Sequence, residues 1–328
     1  MHAPTVNTLP AALPHFVEPL DHGVYAIDTA FHCDHFDAAY LLVHEGRAAF
    51  IDTGTNHAVP RLLGALSALG IDVGAVDWVI PTHVHLDHAG GVGLLMQHLP
   101  SARLLVHPRG ARHMIDPRVL WAGATAVYGS DEMARSYGQL LPVAAERVDT
   151  TTDGQTIKLA DRTLLFAYTP GHAKHHHCIW DETSHGWFTG DTFGLSYREF
   201  DTVQGPWIVP TSTPVQFEPE LLAASIQRLL DAAPLCMYLT HYGRVSDVPR
   251  LGALLLSLLQ AMVAMGRAQT PGPGRHEALK AGQLEIFTRS LAVHGCTHSA
   301  AEVAQWLAMD LELNAQGMAV WLDRPVSA

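Results

Sequence analysis

Thr82-His83-Val84-His85-Leu86-Asp87-His88-Ala89-Gly90-Gly91 places four metal-ligating side chains within six residues. Residues 76–82 are apolar and β-branched, which predicts a strand, and residues 89–99 continue as a helix. A strand that ends in a tight loop aims His83 and His85 the same way. Asp87 and His88, at the helix start, then face a second point. That arrangement suits two cations about 3.5–4 Å apart. The chain holds 22 histidines, so a bare HxH carries little weight. The longer pattern HxHxDH followed by Ala-Gly-Gly is far more specific, and its test is the structural context.

Working outward, residues 23–28 read as a strand. Residues 38–43 and 48–52 read as a hairpin around Glu45-Gly46, ending in Asp52-Thr53-Gly54. Residues 59–69 read as a helix closed by Gly70. Further strands are expected at 103–106, 156–158, 164–169, 177–181, 187–191 and 236–240, with a helix at 218–232. Residues 109–140 read as helical or irregular. From residue 246 the pattern is helical, at 248–267, 275–293 and 299–313, broken by Pro271-Gly272-Pro273-Gly274. The expected organisation is an α/β catalytic domain over 1–245 and a helical extension over 246–328 that packs on it. Leu251, Leu254, Leu255, Leu258, Leu259 and Met262 form a stripe at helical spacing. The stripe suits either a cap over the site or a homodimer interface.

Composition narrows the function. The formal net charge is −12 and no run of Lys and Arg occurs, which disfavours nucleic acid as a partner. The four cysteines, Cys33, Cys178, Cys236 and Cys296, form no CxxC pair and read as free thiols in a reducing compartment. Residues 1–20 lack a basic start and a long apolar run, so no leader peptide is expected. Residues 251–266 contain Ser257 and Gln260 and read as a buried helix, not a membrane span. The expected setting is the cytoplasm, with a small-molecule substrate.

The 82–91 segment resembles the signature of the metallo-β-lactamase superfamily, and three further turns match the family's pattern in order. They are Thr169-Pro170-Gly171-His172, Thr189-Gly190-Asp191-Thr192 and Tyr238-Leu239-Thr240-His241. The likeness spans about residues 20 to 245. It implies an αββα sandwich of two mixed β-sheets flanked by helices. It further implies that His83, His85 and His172 hold one metal, that Asp87, His88 and His241 hold a second, and that Asp191 bridges them. Imidazole and carboxylate together suit zinc or iron, with manganese an alternative. Asp52 is expected to accept a ring N–H from a metal-bound histidine. Ligand spacing and the helical tail look most like the quinolone-signal-response type of thioesterase, and less like glyoxalase II.

Two divalent cations bring a shared water's pKa toward neutrality and supply a hydroxide nucleophile. The expected reaction is hydrolysis of a small ester or thioester, with Asp87 carrying the proton. No GxSxG element offers a serine nucleophile. Alternatives are hydrolysis of a small phosphodiester, a mono-iron persulfide dioxygenase that keeps the same motif, and a sensor that keeps the site without turnover. The flavodiiron branch carries Glu where His85 stands. Residues 192–217 follow Asp191 and are rich in aromatics, so Phe193 or Tyr197 is expected to touch the substrate. His175, His176 and His177 are expected to be structural or at the surface.

Overall fold

The computed structural model describes residues 13–212 and 214–324. Residues 1–12, where no leader peptide is expected, lie outside them. The first sheet holds β1 (Val17–Pro19), β2 (Val24–Asp28), β3 (Ala38–His44), β4 (Arg47–Ile51), β5 (Val76–Ile80), β6 (Arg103–Val106) and β7 (Val148–Thr150) in chain order. Its first four strands pair antiparallel, and β4 to β7 pair parallel. The second sheet is built from β8 (Thr156–Leu159), β9 (Arg162–Tyr168), β10 (His177–Asp181), β11 (Gly186–Gly190), β12 (Cys236–Leu239) and β13 (Gly243–Val245). They lie in the order β13-β12-β11-β10-β9-β8, with only β11 and β12 parallel.

Strand period explains the layers. Successive side chains point to opposite faces, so a strand buried on both sides is apolar throughout. In β3, Tyr40 and Leu42 enter the core between the sheets, while Ala39 and Leu41 enter the core outside the first sheet. In β12, Cys236 and Tyr238 face the inner core, and Met237 and Leu239 the outer one. Helix α1 (Val59–Ala68) covers the first sheet with Val59, Leu62, Ala65 and Leu66 and carries a proline in its first turn. Helices α2 (Leu86–Ala89) and α3 (Val92–His98) follow the histidine loop, and α3 joins the same core through Val92, Leu95 and Met96. The result is the αββα order that the resemblance implies.

Residues 109–140 resolve mainly into α4 (Pro108–Ile115), α5 (Arg118–Tyr128) and the short turn α6 (Ser130–Glu132). Helix α5 buries no side chain fully. Beyond α7 (Pro219–Asp231), the tail forms α8 (Val248–Arg267), α9 (Arg275–Val293), α10 (Ala300–Trp306) and α11 (Ala308–Leu322). By length and composition alone α8 could cross a membrane. Its Leu251, Leu255, Leu258, Leu259 and Met262 instead join the core outside the second sheet, together with Leu279, Phe287, Leu311 and Met318 of later helices. The stripe is therefore consumed within the chain, and it is α11 that reaches the site. The expected helix at 299–313 is two helices, because the chain turns at Leu307.

Two buried polar contacts tie the layers. Arg162 and Asp181 form a two-pronged pair across β9 and β10, at 2.7 and 2.6 Å, with both side chains fully buried. His177 joins the sheets. Its backbone N–H donates to the Thr82 carbonyl at 2.9 Å, and its Nε2–H donates to the Pro81 carbonyl at 3.0 Å. Its Nδ1 therefore accepts from the Thr151 hydroxyl, so the ring is neutral.

Removing one partner of a buried ion pair leaves an uncompensated charge. Arg162→Ala is therefore expected to cost about 3–5 kcal/mol, read from chemical denaturation, and a loss below about 1 kcal/mol would show that Asp181 finds another partner. Burial pushes the His177 ring down to about 3 from 6.5. The unfolded chain thus takes up that proton first as pH falls. Stability is complete above 6.5 and declines below it. His177→Gln is expected to flatten that acid limb of the stability–pH curve, and an unchanged slope would contradict it.

Candidate metal centre

Asp52 organises the site. It follows β4 with φ 55°, a left-handed conformation that Asp tolerates better than most residues. Its fully buried carboxylate receives the Thr82 N–H at 2.7 Å, the Thr82 hydroxyl at 3.0 Å and the Thr240 hydroxyl at 2.8 Å. It also accepts His88 Nδ1–H at 2.8 Å. That bond turns His88 Nε2 the other way, toward the remaining ligands, where a cation can take the place of its proton. One carboxylate thus joins the end of β4, the histidine loop and the end of β12. This is the geometry expected of it from sequence.

Three ring nitrogens converge beside the loop. His83 Nε2 lies 2.8 Å and His172 Nε2 lies 3.3 Å from His85 Nδ1. A second group gathers around His88 Nε2, which lies 3.7 Å from Asp87 Oδ2 and 3.2 Å from Asp191 Oδ1. His241 Nε2 completes it, 3.4 Å from Asp87 Oδ2 and 3.8 Å from Asp191 Oδ1. The other oxygen of Asp191 lies 3.3 Å from His172 Nε2. The seven residues named from sequence therefore come together, and Asp191 faces both groups.

The donor set fits divalent cations. Buried His88 Nε2 and Asp191 Oδ1 approach one another without hydrogen-bond geometry. Burial pulls His83 well below the usual histidine range, His85 to about 3 and His172 to about 4. They are neutral imidazoles, the form that a metal requires. Burial alone would neutralise Asp87 and Asp191, but the surrounding histidines, His88 foremost, together outweigh it and hold them ionised. Burial likewise opposes charge on His88 and His241. The neighbouring carboxylates override it, and His241 is pushed up to about 9. Each of these groups is charged or neutral in response to its neighbours, and a cation that binds here displaces protons.

Supporting residues hold the ligands. His241 Nδ1–H donates to the Phe36 carbonyl at 3.0 Å. Gly190 has φ 46°, and a Cβ there would lie 2.5 Å from Thr82 Oγ1 and 2.7 Å from His176 Nε2. A glycine is thus required beside Asp191. His176, buried, accepts the Asp191 N–H at 3.3 Å. His175 accepts the Val84 N–H at 3.4 Å. With His177 between the sheets, all three are structural and buried, not at the surface.

The ligands open on a cavity of about 50 Å³. Tyr197 lines it, but Phe193 does not: its ring is fully buried in the core outside the second sheet. The expectation that Phe193 touches substrate is corrected, because residues 192–217 pack down onto the tail helices before turning back. Sequence reading missed several wall residues, including Phe31, Phe36, Tyr128, Tyr137 and Asp310. Burial pushes the Asp310 carboxyl up to about 7. An outer cavity of about 360 Å³ shares Tyr128, Tyr137, Met309 and Leu313 with the inner one.

The family model for the metallo-beta-lactamase superfamily matches residues 35–241, and the chain belongs to that superfamily. It is 25% identical over 211 residues to the metallo-beta-lactamase fold-containing protein ST1585 of Sulfurisphaera tokodaii, covering 63% of this chain and 73% of that protein. It is 30% identical over 154 residues to a hydroxyacylglutathione hydrolase of Aeromonas salmonicida, covering 47% and 45% of the two chains. A shorter match, 32% over 117 residues, links it to the thioesterase pkgB of Emericella nidulans, over 36% of this chain and 24% of that one. The solved structure of ST1585 from Sulfolobus tokodaii superposes with a TM-score of 0.62 at 21% identity, covering 92% of this chain and 99% of that one.

Losing a carboxylate that orients a ligand histidine costs about 10- to 100-fold in metal affinity. Asp52→Asn is expected to show that loss in a chelator competition, and unchanged affinity would remove Asp52 from the ligand support. Asp191→Ala is expected to lose the metal pair, read by elemental analysis of purified protein. Retention of both ions would exclude its shared position.

Proposed function

We propose that the chain is a dinuclear metal-dependent hydrolase of a small ester or thioester, using zinc or iron, with manganese as the further candidate. The observation that carries this reading is Asp191, whose two oxygens face different nitrogens at 3.2 and 3.3 Å. One carboxylate between two imidazole groups suits a cation pair better than a single ion. Cations held there supply an acidified water and polarise the scissile carbonyl. His83, His85 and His172 would hold one ion, and Asp87, His88 and His241 the other.

The chain's own residues do the rest. Asp87 is 24% exposed at the side chain, against 8% or less for His88, His172, Asp191 and His241. It is the carboxylate ligand open to solvent, and it is held ionised. It can therefore take the proton of the attacking water and return it to the leaving group. Two similar proteins are named as a hydroxyacylglutathione hydrolase and a thioesterase, which supports acyl substrates over phosphoryl ones. The net charge of −12 and the lack of Lys or Arg among the residues lining the inner cavity also weigh against phosphodiesters. The four free cysteines support a reducing, cytoplasmic setting.

Metal analysis together with a panel of esters, thioesters and phosphodiesters tests this. Two ions per chain and acyl hydrolysis are expected, with Asp87→Asn lowering kcat by about 100-fold or more. A single iron per chain with oxygen uptake on a persulfide would replace the reading with a dioxygenase.

A further inference from the structure

The inner cavity combines aromatic walls with a carboxylate that makes no ion pair among the described residues, although the His241 ring lines the same space. Phe31, Phe36, Tyr128, Tyr137 and Tyr197 all line it. Phe36 stacks on Tyr197 with ring centres 5.1 Å apart, and Phe31 lies 5.4 Å from Tyr137. Asp310 of α11 lines the same space and is only 7% exposed. Among the described residues its side-chain donor is the Tyr197 hydroxyl, 3.3 Å from each carboxylate oxygen. No Lys or Arg lines the cavity.

Burying a carboxylate without a cation is costly. The other two carboxylates of the wall, Asp87 and Asp191, belong to the metal ligands, so Asp310 is the one left over. The faces of aromatic rings attract cations, and rings grouped around a buried acid form a pocket for an ammonium group. The inner cavity is the smaller of the two, about 50 Å³ against about 360 Å³, so an acyl chain would lie toward the outer one.

We propose that the cavity formed by these aromatic rings and Asp310 binds a substrate ammonium group, so that the chain hydrolyses esters or thioesters carrying a positively charged amine near the acyl bond. This deepens the hydrolase reading and rests on it for the reaction, but not for the binding. Tyr197 is a positioning residue here: its hydroxyl holds Asp310, and its ring forms part of the wall.

Binding is measured by calorimetry on the metal-loaded full chain, using choline, ethanolamine and the uncharged choline isostere 3,3-dimethylbutanol. At least one of the two amines is expected to bind about tenfold or more tighter than the isostere, the scale of one charge-assisted aromatic contact. The better of the two distinguishes a quaternary from a primary ammonium. Asp310→Asn is expected to remove that preference and leave isostere binding within about threefold. Should Asp310→Asn fail to fold by circular dichroism, Tyr128→Leu supplies the second test, because removing one ring should weaken the amine and spare the isostere. Equal binding of amine and isostere by the unmodified chain, or preference retained in both variants, overturns the proposal. The acetate esters of choline and dimethylbutanol separate the two readings. Cleavage of neither, with amine binding intact, defeats the hydrolase and leaves the ammonium site. Equal cleavage of both, without binding preference, does the reverse.

Discussion

The Asp52 carboxylate is the constraint on which the rest of the site depends. Four donors converge on it: the Thr82 amide and hydroxyl, the Thr240 hydroxyl and the His88 ring. They come from two places in the chain, the histidine loop and the end of β12, and Asp52 itself stands in a third. A buried carboxylate must be satisfied, and here satisfying it brings the ends of β4, β5 and β12 to one point. His83, His85 and His241 sit one to three residues beyond Thr82 and Thr240, so their positions follow from backbone that Asp52 has already fixed. His177 adds a second restraint by fastening β10 to the Pro81-Thr82 carbonyls.

Much of this was legible in the chain. His83, His85, Asp87 and His88 are neighbours in sequence, so one loop conformation carries all four. His172, Asp191 and His241 each follow a strand whose apolar character is plain, and the turn residues around them mark where the strand stops. The two-faced burial of β3 and β12 explains why those strands read as unbroken apolar runs. Helices α8 and α9 have the boundaries that periodicity assigns them, 248–267 and 275–293.

What sequence did not reveal has physical reasons. The strands β1, β7 and β13 are three residues long, too short for a period to register, and all three lie at sheet edges. Phe193 and Tyr197 stand in a segment with no regular period, so nothing local says which ring faces the core and which faces the ligands. Asp310 lies 113 residues from Tyr197, the residue that holds it. On a helix of apolar neighbours it reads as a surface acid, and only the packing of α11 across the cavity turns it inward. His176 likewise looked dispensable beside His172 until the Asp191 amide was found on its ring.

The tail helix α11 contributes Met309, Asp310 and Leu313 to a cavity whose ligands come entirely from residues 83–241. The candidate ligands and part of the cavity wall are thus supplied by separate parts of the chain. Substitutions confined to one face of a single helix can change what is admitted while every metal ligand stays in place.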